Sequence, residues 1–152
     1  MTTENYPETT VWRCDSCGGD VTAQDGYVIW NSSGPARDFR IIHQSRCDDK
    51  NLHSSTALKD LIGRTGIAHL LSFLTEGPAR RGAHEFSRDI PTDLSDFVDL
   101  FRRLHVPNYE RARPHFADRR VRERLNGWNE RAPYFPSELA WIAELGESPD
   151  SD

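Results

Sequence analysis

From residue 12 onward, apolar positions come in short bursts separated by turn residues. "GYVIW" (26–30) and "FRIIH" (39–43) are rich in β-branched and aromatic side chains, and "NSSGPARD" (31–38) between them is turn chemistry. Two such runs around a Gly-Pro loop predict a β-hairpin. After Cys47 the period becomes helical. Ser54 or Ser55 is placed to cap a short helix with Leu58, Leu61 and Ile62 on one face. "GRTG" (63–66) interrupts it. Thr65 is then placed to cap a second helix with Ile67, Leu70, Leu71 and Leu74 turned inward, stopped by Gly77-Pro78.

Residues 78–91 have turn residues at both ends and no apolar period, and read as a linker. Beyond them Thr92 or Asp93 caps a predicted helix with Leu94, Phe97, Phe101 and Leu104 on one side, ended by Pro107. Residues 108–128 predict one or two short helices, limited by Pro114, with Gly127 as the C′ residue. Val121, Leu125 and Trp128 share a face there. A loop, "NERAPYFP" (129–136), leads to a last helix capped by Ser137, with Leu139, Ile142 and Ala143 inward. Residues 1–11 and 147–152 read as a disordered leader and tail. Strands first and helices after predict an α+β fold. The expected organisation is a hairpin module with a helical hairpin over 12–77, a linker over 78–91 and a small helical unit over 92–146.

Composition changes this picture in one respect. The 152 residues are 36% hydrophobic and 28% charged, lean for a packed core, and small cores often need a staple such as a structural metal. The stretch "WRCDSCGGD" (12–20) supplies half of one. Cys14 and Cys17 form a CxxC pair, and His43 and Cys47 in "HQSRC" are the next soft or borderline ligands, giving C-x2-C-x25-H-x3-C. Zinc takes four tetrahedral N/S ligands, and two closely spaced pairs bring them together at low chain-entropy cost. The intervening hairpin returns the chain to its start, and no cysteine is left over. The competing readings are a redox CxxC, which ordinarily follows a strand in a βαβ unit, and buried unliganded cysteines. His53 is an alternative fourth ligand to His43. Asp15, Asp48 and Asp49 are poor competitors at a thiolate-rich site. Three thiolates and one imidazole close the tetrahedron, and no H-x-E or HExxH frame lies beside them. The expected Zn2+ is therefore structural.

The arrangement resembles treble-clef and zinc-ribbon fingers, in which a CxxCG knuckle, here "CDSCGG", is followed by a hairpin and a second ligand pair around the start of a helix. The resemblance covers residues 12–62. It implies a zinc-stapled β-hairpin module followed by a bundle of short α-helices.

Charge narrows the partners. Residues 1–79 hold 7 Lys+Arg and 10 acids, −3; residues 80–131 hold 12 Arg and 9 acids, +3; residues 132–152 hold 5 acids and no base, −5. A dedicated nucleic-acid binder shows a larger basic excess. The 17 Arg against 2 Lys read as the codon usage of a GC-rich bacterial genome. Even so, Arg111, Arg113, Arg119, Arg120, Arg122 and Arg124, with aromatic side chains nearby, are candidate nucleic-acid contacts, against a solvated helix face of i,i+4 charge pairs. "LKDLIGRTGIAHLLSFL" (58–74) has the outline of a helix-turn-helix, but its second helix offers few polar groups to base edges. Trp128, Tyr134 and Phe135, in a loop dense in aromatics and proline, are candidate partner contacts. His84, His105 and His115 lack a ligand partner at metal spacing and read as structural or surface residues. There is no GxGxxG, GxxxxGK[ST] or GxSxG.

No apolar run approaches the roughly 20 residues of a membrane span. "MTTENYPETT" has no basic n-region or apolar h-region, and three cysteines cannot all pair within one chain. A cytoplasmic location with reduced thiols is expected. The first functional expectation is a non-enzymatic zinc-binding adaptor or regulator that acts by binding a macromolecule, with a protein as the partner. The alternative is a nucleic-acid-binding regulator using the finger, the helical hairpin or the Arg block. The third is a zinc enzyme with an open coordination site.

Overall fold

The computed structural model describes residues 10–48, 54–75, 77–80, 90–91 and 93–149. The expected leader over 1–9, most of the linker (81–89), the alternative ligand His53 and the end of the tail (150–152) lie outside the described residues. The architecture is mixed α+β, and the chain divides into two compact units, residues 1–105 and 106–152. No helix among the described residues is long and apolar enough to cross a membrane.

In the first unit, β1 (Trp12–Arg13) pairs antiparallel with β2 (Asp20–Val21). A second, three-stranded antiparallel sheet has the order β4-β3-β5, built from β3 (Gly26–Asn31), β4 (Arg37–His43) and β5 (Ser54–Ala57). The expected hairpin is present, with Tyr27 opposite Ile42 and Val28 opposite Ile41. Val28, Trp30, Phe39 and Ile41 are buried in one cluster with Phe97, Leu100 and Leu104. Trp30 and Phe73 meet edge-on at 5.2 Å, and Phe39 and Phe97 at 5.7 Å.

Residues 54–57 are a strand, not the cap and start of a helix. Their apolar followers Leu58 and Leu61 are buried, but through a single 3-10 turn, Leu58–Asp60. Tertiary pairing decides this: β3 offers a ladder partner, with Trp30 opposite Ser54 and Val28 opposite Thr56, and β propensity yields to such context. The helix-turn-helix outline is therefore not realised. Next comes α1, Gly63–Leu71, which begins two residues before Thr65. Of its four expected inward positions only Leu70 is buried; Ile67, Leu71 and Leu74 are exposed. The helix turns its Gly66–Leu70 edge to the core instead. A Cβ on Gly66 would fall on the carbonyl of Leu61.

That close approach gives a prediction with an unusual sign. Gly→Ala inside a helix ordinarily gains about 0.8–1.0 kcal/mol. Gly66→Ala is expected to lose about 1–3 kcal/mol, because the backbone at Leu61 must move. Urea denaturation followed by circular dichroism measures it; a stabilised variant would mean that Gly66 does not pack on Leu61.

The helix α2, Leu94–His105, belongs to this first unit. The expected boundary at 78–91 thus differs from the observed division after His105. The reason is the helix's inward face: Phe97, Leu100, Arg103 and Leu104 are buried, while Leu94 is exposed. Asp93 Oδ1 accepts from the Ser95 amide at 2.9 Å, so Asp93 acts at the helix start; Thr92 lies outside the described residues. At the other end His105 Nε2 donates to the Leu61 carbonyl at 2.7 Å. Burial pulls this imidazole below its usual range, against the Leu61 bond, which acts in the other direction.

The second unit holds α3 (Tyr109–Ala112), α4 (Arg119–Leu125) and α5 (Pro136–Glu147). A 3-10 turn containing Pro114 follows α3, as its ring requires. Asp118 caps α4 by accepting from the Arg120 amide at 2.8 Å. Val121, Leu139, Ile142 and Ala143 are fully buried with Tyr109 and Ala112. Two expected end signals differ. The last helix starts at Pro136 with Phe135 before it and no side-chain cap, because proline at the first helical position is already set for the turn; Ser137 is not the cap. Gly127 is not among the positive-φ glycines, so α4 does not end in a left-handed C′ residue.

Candidate metal centre

The β1–β2 turn builds the first half of the site. The Cys14 amide donates to the Gly19 carbonyl at 2.8 Å, and the Gly18 amide to the Cys14 carbonyl at 2.9 Å. Gly18 sits at φ +74°, a conformation that costs glycine little. The loop closure turns amides onto sulfur. Cys17 N–H points at Cys14 Sγ (3.5 Å) and Gly19 N–H at Cys17 Sγ (3.4 Å). The second half lies where β4 ends. His43 is its last residue, and a turn with Ser45 at φ +67° brings Cys47 back beside it.

The four expected ligands converge. Donor atoms of Cys14, Cys17, His43 and Cys47 all lie within 4.8 Å of one another. His43 Nδ1 is 3.4 Å from Cys17 Sγ and 3.5 Å from Cys47 Sγ. Its Nε2 lies 2.7 Å from the Asp20 carbonyl and 2.8 Å from Arg46 Nη2. A carbonyl only accepts and a guanidinium only donates, so Nε2 bonds one of the two in each tautomer, and with its proton on Nε2 the ring donates to Asp20. That tautomer leaves the Nδ1 lone pair facing the sulfurs, and an imidazole held through its other nitrogen is the usual companion of metal ligation. Cys14 and His43 are buried, Cys47 is half-buried and Cys17 is exposed.

The electrostatics fit a cation. Burial raises the Cys14 thiol, but the amides of Cys17, Ser16 and His43 oppose it and bring it down to about 6. Cys47 is pushed up by burial and by the Cys14 and Cys17 sulfurs beside it. Three sulfurs this close cannot all ionise cheaply on their own, and a metal ion among them removes that cost. The Cys3His cluster can therefore hold a metal ion.

A residue that sequence reasoning treated as a bystander anchors the knuckle. Asp15, between the two cysteines, accepts from the Ile41 amide at 2.8 Å and from Arg103 Nη1 at 2.6 Å, both through Oδ2. Its own amide donates to the Ile41 carbonyl at 2.8 Å. Arg103 Nη2 donates to the Arg13 carbonyl at 3.0 Å, and Trp12 Nε1 to the Arg103 carbonyl at 2.9 Å. The Arg103 side chain is 2% exposed. One signal for it was present in the sequence: in "LSDFVDLFRRLH" (94–105) Arg103 stands three residues after Leu100, on the inward arc.

Nothing matches this chain among protein-family models, curated proteins or solved structures.

The remaining candidates do not join the metal centre. Arg111 forks onto Glu147 at 2.9 and 3.3 Å, Arg119 pairs with Glu123 at 2.8 Å, and Arg120 pairs with Asp118 at 2.9 Å. The Arg124 guanidinium lies 4.0 Å over the Trp141 ring, which meets Trp128 edge-on at 6.1 Å. Arg113 is half-buried and Arg122 exposed. Trp128 is half-buried, while Tyr134 and Phe135 are exposed at the start of α5. Among the described residues, the next element after Cys47 is β5.

Proposed function

We propose that this chain is a non-enzymatic zinc-binding adaptor or regulatory protein, cytoplasmic, that acts by binding another protein. The closed Cys14–Cys17–His43–Cys47 cluster carries the reading. In a tetrahedral zinc site with Zn–S about 2.3 Å and Zn–N about 2.0–2.1 Å, the S···N edge is about 3.5 Å, in line with the 3.4 and 3.5 Å separations here. Four protein donors leave no position for a reacting water, which supports a structural metal and a role without catalysis. Four of the six candidate arginines face a carboxylate or a ring within their own unit, which leaves less for phosphates and favours a protein partner over nucleic acid. Exposed Tyr134 and Phe135 are side chains of the type enriched at protein interfaces.

Elemental mass spectrometry of the purified, reduced full chain tests the metal. One zinc per chain is expected, with affinity lowered at least about tenfold in His43→Ala; metal-free protein would remove the reading. On the same sample, fluorescence anisotropy with a labelled DNA duplex and a single strand at low salt is expected to show no tight binding. Binding that weakens steeply with salt would transfer the proposal to a nucleic-acid regulator.

A further inference from the structure

The four donors of the metal centre meet solvent unequally. Cys14 and His43 are each 2% exposed, Cys47 is half-buried and Cys17 is exposed. The two more accessible sulfurs stand on different turns, Cys17 in the knuckle and Cys47 after β4. They flank one nitrogen: His43 Nδ1 is 3.4 Å from Cys17 Sγ and 3.5 Å from Cys47 Sγ. The two sulfurs lie within 4.8 Å of each other. A disulfide bond is about 2.05 Å long, so less than about 3 Å of closure separates them from one. Gly18 and Gly19 follow Cys17 directly, so the exposed ligand sits on adaptable backbone.

Cys14 is held differently. Its amide donates to the Gly19 carbonyl at 2.8 Å, and its carbonyl accepts from the Gly18 amide at 2.9 Å. Its sulfur accepts from the Cys17 amide at 3.5 Å. It is fixed in the knuckle and shielded from solvent. Redox-responsive cysteines are thiolates that solvent reaches, with a second sulfur close by to resolve the first oxidation product. A metal-held sulfur is already a thiolate. Cys17 supplies the accessible sulfur, and Cys47 the resolving one.

We propose that the metal centre is a redox switch, in which hydrogen peroxide replaces the metal staple by a Cys17–Cys47 disulfide and the metal is released. The inference rests on the closed-site reading above and adds the regulation of that site. Cys17 Sγ attacks one oxygen of the peroxide; the O–O bond breaks, hydroxide leaves, and Cys17 becomes a sulfenic acid. Cys47 Sγ then attacks Cys17 Sγ; the S–O bond breaks, a second hydroxide leaves, and the S–S bond forms. Two thiolates have given two electrons to the peroxide. Cys14 and His43 remain, half of a tetrahedral set, and the ion passes to solvent. The new bond joins the knuckle to the turn after β4, the same two turns that the four ligands span. It closes the loop between residues 17 and 47, so the oxidised chain keeps its hairpin without metal. A Cys14–Cys17 bond would close the knuckle alone and join nothing across the two turns.

The test exposes the zinc-loaded full chain to submillimolar hydrogen peroxide. A chromogenic chelator follows released zinc. Blocking with iodoacetamide, proteolysis and tandem mass spectrometry then locate the state of each sulfur. One zinc is expected per disulfide formed, with Cys17 linked to Cys47 and Cys14 alkylated. Dithiothreitol with added zinc is expected to restore the starting state. In thermal melts the oxidised, zinc-free chain is expected to outlast the reduced chain stripped by chelator. The proposal is overturned if zinc stays bound under peroxide, or if the disulfide is Cys14–Cys17 or links two chains. It is equally overturned by sulfinic or sulfonic acid without a disulfide, or by an oxidised chain that melts no higher than the stripped one. Zinc content measured before peroxide is added separates the two failures. A reduced chain without zinc sinks the closed-site reading and this inference together, whereas a zinc-loaded chain that ignores peroxide sinks this inference alone.

Discussion

Cys14→Ser, and equally Cys47→Ser, is expected to unfold the N-terminal unit and abolish stoichiometric metal binding. The ligands stand on two separate turns, one closing β1–β2 and one following β4, and a bound metal would bond all four donors, and so both turns, to one centre. Structural zinc in small finger peptides contributes an apparent ~10–16 kcal/mol at neutral pH. That matches or exceeds the ~5–15 kcal/mol that ordinarily separates a folded domain from its unfolded chain. Serine lacks the thiolate, and its loss also removes the acceptor for the Cys17 amide. Thermal melts by circular dichroism, with elemental analysis of the same samples, read the outcome. A variant with wild-type melting and one metal per chain would show that the ligand set is wrong.

Arg103→Met is expected to cost about 3–5 kcal/mol, the usual penalty for breaking a buried ion pair from one side. The variant keeps an apolar stem in the helix face but strands the Asp15 carboxylate, which is 20% exposed. Asp15→Asn should cost a similar amount: it keeps an acceptor for the Ile41 amide and leaves the guanidinium buried without its counter-charge. The double variant Asp15→Asn/Arg103→Met should recover much of the loss, since neither charge then remains. A double-mutant cycle in urea measures the coupling. Metal affinity should fall along with stability in both single variants, because Asp15 lies inside the knuckle between two ligands. Single-variant losses under about 1 kcal/mol would mean that the pair does not hold α2 to the knuckle.

These two predictions differ in how far the sequence anticipated them. The metal cluster was legible because its chemistry is local. Each half is a pair a few residues apart, and the hairpin that joins the halves is signalled by its own β-branched runs and Gly-Pro loop. The buried faces of α2 and α5, carried by Phe97 and Leu104 and by Leu139, Ile142 and Ala143, were legible from helical period alone. The Asp15–Arg103 pair was not, because it joins positions 88 residues apart, and nothing in a knuckle acid announces which distant cation will meet it.

The sequence by itself therefore determined the three cysteine donors, the hairpin and the α+β class, all written in short-range spacing, while the fold brought His43 to them. Tertiary structure decided the rest. Residues 54–57 became a strand because β3 had an open ladder beside them, where their own pattern suggested a helix. The face of α1 was chosen by the packing of Gly66 on Leu61, which exposes the leucines that periodicity would bury. The helix α2 joined the first unit because its phenylalanines and Arg103 found partners on the sheet and knuckle. In each case a packing or ladder contact outweighed a local preference worth a fraction of a kilocalorie per residue.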